Sequence, residues 1–127
     1  MDLNKNGFLN YNNIEILESD NDICKVKLNI TKNSLNPYNI VHGGLTFSLG
    51  DTAMGVMCHK LGKNVVTLNA NINYLKPGVG KYLLATSKVI KMGNTTCVLS
   101  CDITDDKNNL VATMNGTYYV IGDLWKQ

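Results

Sequence analysis

The stretch Asn36-Pro-Tyr-Asn-Ile-Val-His42-Gly43-Gly44-Leu-Thr-Phe-Ser-Leu-Gly50-Asp51-Thr-Ala-Met-Gly55-Val-Met-Cys58 decides the fold, because between Gly43 and Cys58 the only charged residue is Asp51. Leu45, Leu49, Thr52 or Ala53, and Val56 recur at three- and four-residue steps, which predicts a helix. A second stripe on the same period is Gly44, Ser48, Asp51, Gly55 and His59. Phe47, Met54 and Met57 fill the flanks, so the helix is expected to be buried nearly all round. Gly50 and Gly55 each cost a helix interior about 1 kcal/mol relative to alanine. Tertiary packing must therefore hold this segment, and the glycines suggest that another backbone or a ligand comes close.

A lone carboxylate on such a helix must find partners or give up its charge, and a carboxyl poised near neutrality suits a general base. Two readings of Asp51 stand at this point: a functional acid within the helix, or the N-cap of a helix that starts at Thr52. If Gly43 and Gly44 open the helix, their N–H groups lack intrahelical partners and sit at the positive end of the dipole. That end is suited to an oxyanion. Gly43 and Asp51 would then lie about 12 Å apart along the axis, too far for both to reach one reacting group within about 3 Å. Two antiparallel copies of the helix would bring Gly43 of one to Asp51 of the other, so a catalytic pair implies at least a dimer.

Length and composition bound the rest. The 127 residues are read as a single domain, 1–127, with 1–12 as an N-terminal arm, frayed or a short helix. Net charge is +2 with scattered lysines, which does not point to nucleic acid. No run of 18 apolar residues and no apolar signal core occurs, so no membrane partner is expected and the cytoplasm is the expected location. Cys24, Cys58, Cys97 and Cys101 form no CxxC pair and are read as reduced and buried. With two histidines and no ligand-spaced cluster, no metal is expected.

Asn13 to Ser19 and Ile23 to Ile30 read as strands around the turn Asp20-Asn21-Asp22. After Leu61-Gly62 the period changes to two. In Val65 to Leu75, Val66, Leu68, Ala70, Ile72 and Tyr74 are expected on one face, and Thr67, Asn69, Asn71 and Asn73 on the other. Lys76 to Gly80 is a turn, Lys81 to Met92 a strand, Gly93-Asn94 a hairpin signal and Thr95 to Thr104 the next strand. Asp105 to Asn109 is a turn rather than a calcium loop, since the central Gly and closing Glu are absent. Leu110 to Ile121 is the last strand. Segregated helix and strands argue α+β with a mostly antiparallel sheet. A long twisted sheet wrapped around the helix would leave an edge for a second copy.

Asn36, then His42-Gly43-Gly44, then Asp51-Thr52-Ala53, with Tyr74-Leu75-Lys76-Pro77 and Met92-Gly93-Asn94-Thr95 later, resembles hot-dog-fold thioesterases of the phenylacetate-degradation (PaaI-like) type. The resemblance runs from about Leu28 to Gly122. It implies the hot-dog fold, one long antiparallel sheet around a central helix, and a homo-oligomer, either a dimer or a dimer of dimers. The implied activity is hydrolysis of an acyl-CoA or aryl-CoA thioester, with coenzyme A part of the substrate and no other cofactor.

By resemblance Asp51 is the acid, activating water or attacking the thioester. The N–H of Gly43 in the other subunit would polarise the carbonyl, Asn36 would place water or carbonyl, and His42 would shape the turn. Thr67 would orient the water. Gly44, Asn69, the turn Lys76-Pro77-Gly78 and the hairpin Lys91-Met92-Gly93-Asn94-Thr95 would contact substrate or coenzyme A.

Two departures from the family pattern are Asn94, where a basic residue is frequent, and Gly50, which would widen the acyl pocket. That pocket would take Phe47, Met54 and Met57 as lining. Plainer readings stand beside these roles. His42 is favoured as a structural histidine over a general acid, Asn36 would serve an Asx-turn, and Lys76 and Lys91 would be surface lysines. The competing functions are an acyl-thioester dehydratase or hydratase, which needs His42 as acid/base, and a non-catalytic acyl-CoA-binding protein.

Overall fold

The computed structural model describes residues 2–123. In chain order it has helix α1 (Gly7–Tyr11), strands β1 (Ile14–Ile16) and β2 (Ile23–Asn29), and the long helix α2 (Gly43–Lys60). Strands β3 (Val65–Tyr74), β4 (Tyr82–Met92), β5 (Thr96–Asp105) and β6 (Leu110–Val120) follow. Among the described residues the strands form one six-stranded sheet in the order β1-β2-β4-β5-β6-β3. Every pairing is antiparallel. Helix α2 touches five of the six strands, β2 through β6, so one twisted sheet wraps one helix in the α+β hot-dog arrangement. The first twelve residues contain the short helix α1, capped by Asn6, whose Oδ1 accepts from Phe8 N and Leu9 N.

Helix α2 runs unbroken through Asp51, which removes the reading of Asp51 as an N-cap at Thr52. Its start is capped instead by His42, and its end closes on Gly62. Gly62 has φ of 86°, and Lys63 N–H returns to Cys58 O at 3.0 Å, a Schellman closure that only glycine enters cheaply. Leu49, Ala53, Met54 and Met57 are fully buried against the sheet. Ser87 on β4, also fully buried, donates to Ala53 O at 2.7 Å and ties sheet to helix. The stripe Ser48, Asp51, Gly55 and His59 is only half-buried, so the expectation of a helix buried all round fails along that one face.

Three further expectations change here. Gly50 does not widen a pocket: a Cβ built there would overlap Met114 Sδ and lie 3.2 Å from Ile103 Cδ1. The glycine admits the sheet. Met54 and Met57 belong to the core, Phe47 packs at its margin, and none of the three lines either cavity beside α2. In β3, the pairing with β6 slips between Thr67 and Asn69, leaving Leu68 as an extra residue that is 58% exposed. Such a bulge reverses the alternation. Val65 before it, and Ala70 and Ile72 after it, all pack on the core, and Thr67 bonds to the helix. Thr67 therefore does not share the face of Asn69, Asn71 and Asn73.

The two mid-helix glycines should respond oppositely to alanine. Gly50→Ala should lower stability by about 1–3 kcal/mol through overpacking despite the better helix propensity. Gly55→Ala, whose Cβ would meet only Tyr118 Cε1 at 3.9 Å, should hold or raise stability by up to about 1 kcal/mol. Urea unfolding midpoints measure both, and equal destabilisation by the pair would contradict this packing.

Candidate active site

Asp51 sits in the middle of α2, half-buried and facing a cavity of about 550 Å³. Its carboxylate has found partners. Thr67 Oγ1 donates to Asp51 Oδ1 at 2.8 Å, and Tyr118 Oη donates to the same oxygen at 2.8 Å. Among the described residues no donor to Oδ2 occurs, so one oxygen is held by two hydrogen bonds and the other is not engaged. The bulge in β3 aims Thr67 at the helix. Tyr118 arrives from β6 because Gly116 leaves room: a Cβ there would lie 2.6 Å from Tyr118 Cε2. Burial, and next the neighbouring Asp51 carboxylate, push the Tyr118 phenol well above its ordinary range. It stays protonated and keeps donating.

Gly43 is the first residue of α2 and opens into a different cavity, of about 400 Å³, with Asn36, Tyr74, Lys76, Pro77 and Gly78. Tyr74 Oη donates to Gly43 O at 2.6 Å, tying the end of β3 to the start of α2. As the first helical residue, Gly43 has an N–H with no intrahelical acceptor. The Gly44 N–H is occupied, donating to His42 Nδ1 at 2.9 Å. That bond requires Nδ1 unprotonated, which makes His42 a cap. His42 is exposed and lines neither cavity.

Asn36 Oδ1 accepts from Tyr38 N at 2.9 Å and, more weakly, from Ile40 N at 3.4 Å. Its loop is also held by Asn36 N–H to Ile40 O at 2.8 Å. The Asx-turn role is thus present, and Nδ2 remains as a donor at the cavity with Gly43. The turn behind it is pinned by Val41 N–H to Gly78 O at 2.8 Å.

Within one chain the predicted coenzyme A contacts do not come together. Lys76-Pro77-Gly78 stands by Gly43, whereas Lys91-Met92-Gly93-Asn94-Thr95 forms the β4–β5 hairpin and lines neither cavity. Thr96 pairs with Tyr119, whereas Leu75 and Lys76 bond to Val111. The two groups are thus separated along β6 by about 26 Å at ~3.3 Å per residue. Asn69 is exposed and outside both cavities.

Sequence reading missed Tyr118, although the alternation Met114, Gly116, Tyr118 marks it as inward on β6. It also missed the contribution of the arm to the Asp51 cavity. The cysteines are all free and buried. Burial pushes the Cys58 and Cys101 thiols up to about 12, so neither is a nucleophile near neutrality. No helix among the described residues is long and apolar enough to cross a membrane.

A single sheet wrapped on a helix that carries a glycine-opened N-terminus and a mid-helix carboxylate is the form of a hot-dog thioesterase. The chain belongs to the Thioesterase superfamily, whose family model matches residues 38–112. It is a homologue of the acyl-coenzyme A thioesterase PaaI of Escherichia coli, with 34% identity over 86% of this chain and 79% of that protein. The solved PaaI structure superposes with a TM-score of 0.87, covering 93% of this chain and 86% of that one. A Bacillus halodurans protein solved with CoA is 33% identical at a TM-score of 0.88, covering 95% and 82% of the two chains.

The two donors to Asp51 should weigh differently. Tyr118→Phe removes a buried hydrogen bond to a charged acceptor and should cost about 1.5–3 kcal/mol. Thr67→Val removes an exposed one and should cost about 0.5–1.5 kcal/mol, because water can replace it. Chemical denaturation of the two variants checks the order, and the reverse order would contradict the burial of this network.

Proposed function

We propose that this thioester hydrolase cleaves an acyl-CoA or aryl-CoA thioester to the free acid and coenzyme A, in a cleft shared by two copies of the chain. The observation that carries this reading is that Gly43 and Asp51 open into two cavities with no lining residue in common. They stand on one helix about 12 Å apart, whereas a reacting carbonyl needs both within about 3 Å.

The open edge of the sheet supports a way to join them. Among the described residues β3 pairs only with β6 and is the terminal strand of the sheet. Antiparallel pairing of β3 with β3 of a second copy sets the Tyr74 end of one against the Val65 end of the other. Gly43 lies near the first end, and Asp51, through Thr67, near the second. The same pairing carries the Lys91–Thr95 hairpin of one copy toward the Lys76–Gly78 turn of the other, which gives coenzyme A one continuous track. Two such dimers would make a tetramer.

In this cleft the Gly43 N–H, at the positive end of α2, and the Asn36 Nδ2 polarise the thioester carbonyl. Both bonds strengthen as the carbonyl oxygen gains charge, which is where they accelerate the reaction. Asp51 of the other copy, held through Oδ1, offers Oδ2. It takes a proton from an attacking water, or attacks the carbonyl carbon directly. In the first case the C–S bond breaks as water adds, the free acid forms, and the thiolate of coenzyme A leaves and takes up the proton that Asp51 removed from the water. In the second the thiolate leaves while the acyl group stays on Asp51 as a mixed anhydride, and water then splits that anhydride, giving the free acid, the restored carboxylate and the proton for the thiolate. Thr67 and Tyr118 fix the carboxylate, and His42 shapes the turn.

A hydratase would need His42 as an acid/base, and its engagement as the cap of Gly44 at the margin of the site counts against that reading. The free, buried cysteines fit a reducing compartment, and we assign the protein to the cytoplasm.

Asp51→Ala should reduce thiol release from acyl-CoA by at least ~100-fold with the circular dichroism spectrum unchanged. A folded variant with near-normal turnover would refute the role of Asp51. Diluting the wild-type enzyme through its dimer dissociation range, followed by sedimentation, should lower specific activity in parallel with dimer content. Full activity in the monomer would refute the shared cleft.

A further inference from the structure

The cavity in front of Asp51 is asymmetric. One wall is the α2 stripe, with Ser48, Asp51, Gly55 and His59. The N-terminal arm also lines the cavity, supplying Leu3, Asn6, Phe8 and Leu9. The arm is fastened in place: Leu9 is buried, and Ile16 N–H donates to Asn4 Oδ1 at 3.2 Å. Asn29 N–H also donates to Asn13 O at 2.9 Å, where the arm meets the sheet. Phe8 is 56% exposed although it is a large apolar side chain beside a cavity.

Gly55 supplies the second observation. Gly50 is a glycine because the sheet leaves no room, but a Cβ at Gly55 would meet only Tyr118 Cε1 at 3.9 Å. Packing therefore does not require a glycine at 55, and the helix forgoes a better helix former to keep one. What the missing side chain leaves is open space one turn beyond Asp51, inside the same cavity.

We propose that the acyl group lies along α2 over Gly55, and that the N-terminal arm, through Phe8, closes this channel and sets the length of acid accepted. The assignment rests on the thioesterase reading and deepens it. From Asp51 to His59 the stripe runs about 12 Å, and an extended covalent chain advances roughly 1.2 Å per bond. The channel thus takes about ten bonds beyond the carbonyl before it reaches His59, whose Nδ1 is engaged with Asn64 Oδ1 at 3.1 Å. Medium-chain and aryl acyl groups fit this length, and long-chain acids such as palmitoyl do not.

The test is kcat/KM for butyryl-, octanoyl- and palmitoyl-CoA with wild type, Phe8→Ala and Gly55→Val. Wild type should prefer octanoyl- over palmitoyl-CoA by at least ~10-fold, within the ~10–200-fold that shape discrimination by an apolar pocket reaches. Phe8→Ala, altering an exposed side chain, should shrink that preference ~10-fold or more. Gly55→Val, which fills the channel, should lower the ratio of octanoyl- to butyryl-CoA by a similar factor. Hydrolysis with the same chain-length profile in all three proteins would overturn the role of the arm and leave the thioesterase reading standing. No hydrolysis of any of the three thioesters by wild type would overturn both.

Discussion

An α-helix rises about 1.5 Å per residue, and that rise holds the Gly43 N–H about 12 Å from the Asp51 carboxylate. Nothing within one chain shortens the distance, because α2 is continuous and clasped by five strands. The rigidity that makes the helix a good platform for each group also keeps the two apart. If the cleft is shared as proposed, hydrolysis is tied to the geometry of the sheet edge, where β3 is free to bring a second helix alongside.

The carboxylate itself is governed by two strands that meet it from one side. Thr67 and Tyr118 both donate to Oδ1, so the carboxylate is oriented without being fully consumed. Each donor depends on a local irregularity: the bulge at Leu68 turns Thr67 inward, and Gly116 makes space for the Tyr118 ring. At the other end of the helix His42 and Tyr74 do comparable work on backbone groups. One caps Gly44 N–H and the other holds Gly43 O, so the Gly43 N–H is steadied by its neighbours.

Much of this was legible in the residues. The helix from Gly43, its end at Leu61-Gly62, the run of four strands and the hairpin at Gly93-Asn94 follow from periodicity and turn chemistry, which are local. The pairing of a glycine-opened helix start with a lone aspartate was legible for the same reason. What was not legible depended on tertiary register. Thr67 appeared on the wrong face because a single extra residue in β3 reverses a period of two, and nothing in Val65 to Tyr74 announces where it falls. Gly50 and Gly55 look alike in sequence, yet one is filled by Met114 and Ile103 and the other faces open space. Tyr118 and Tyr119 stand side by side on β6; alternation puts Tyr118 inward, but only the packing of α2 against the sheet shows that it reaches the Asp51 carboxylate.

Strand β3 has a further consequence, for how the protein is made. From Val65 to Tyr74 it carries no charged residue and no proline, and at its outer side Asn69, Asn71 and Asn73 are neutral. Sheet rims of this kind lack the usual guards against pairing with strangers. If two copies join at β3 as proposed, a newly made chain exposes that rim from the moment the sheet closes until a second copy covers it. On that reading, assembly competes with clumping, and chain concentration sets which of the two comes first.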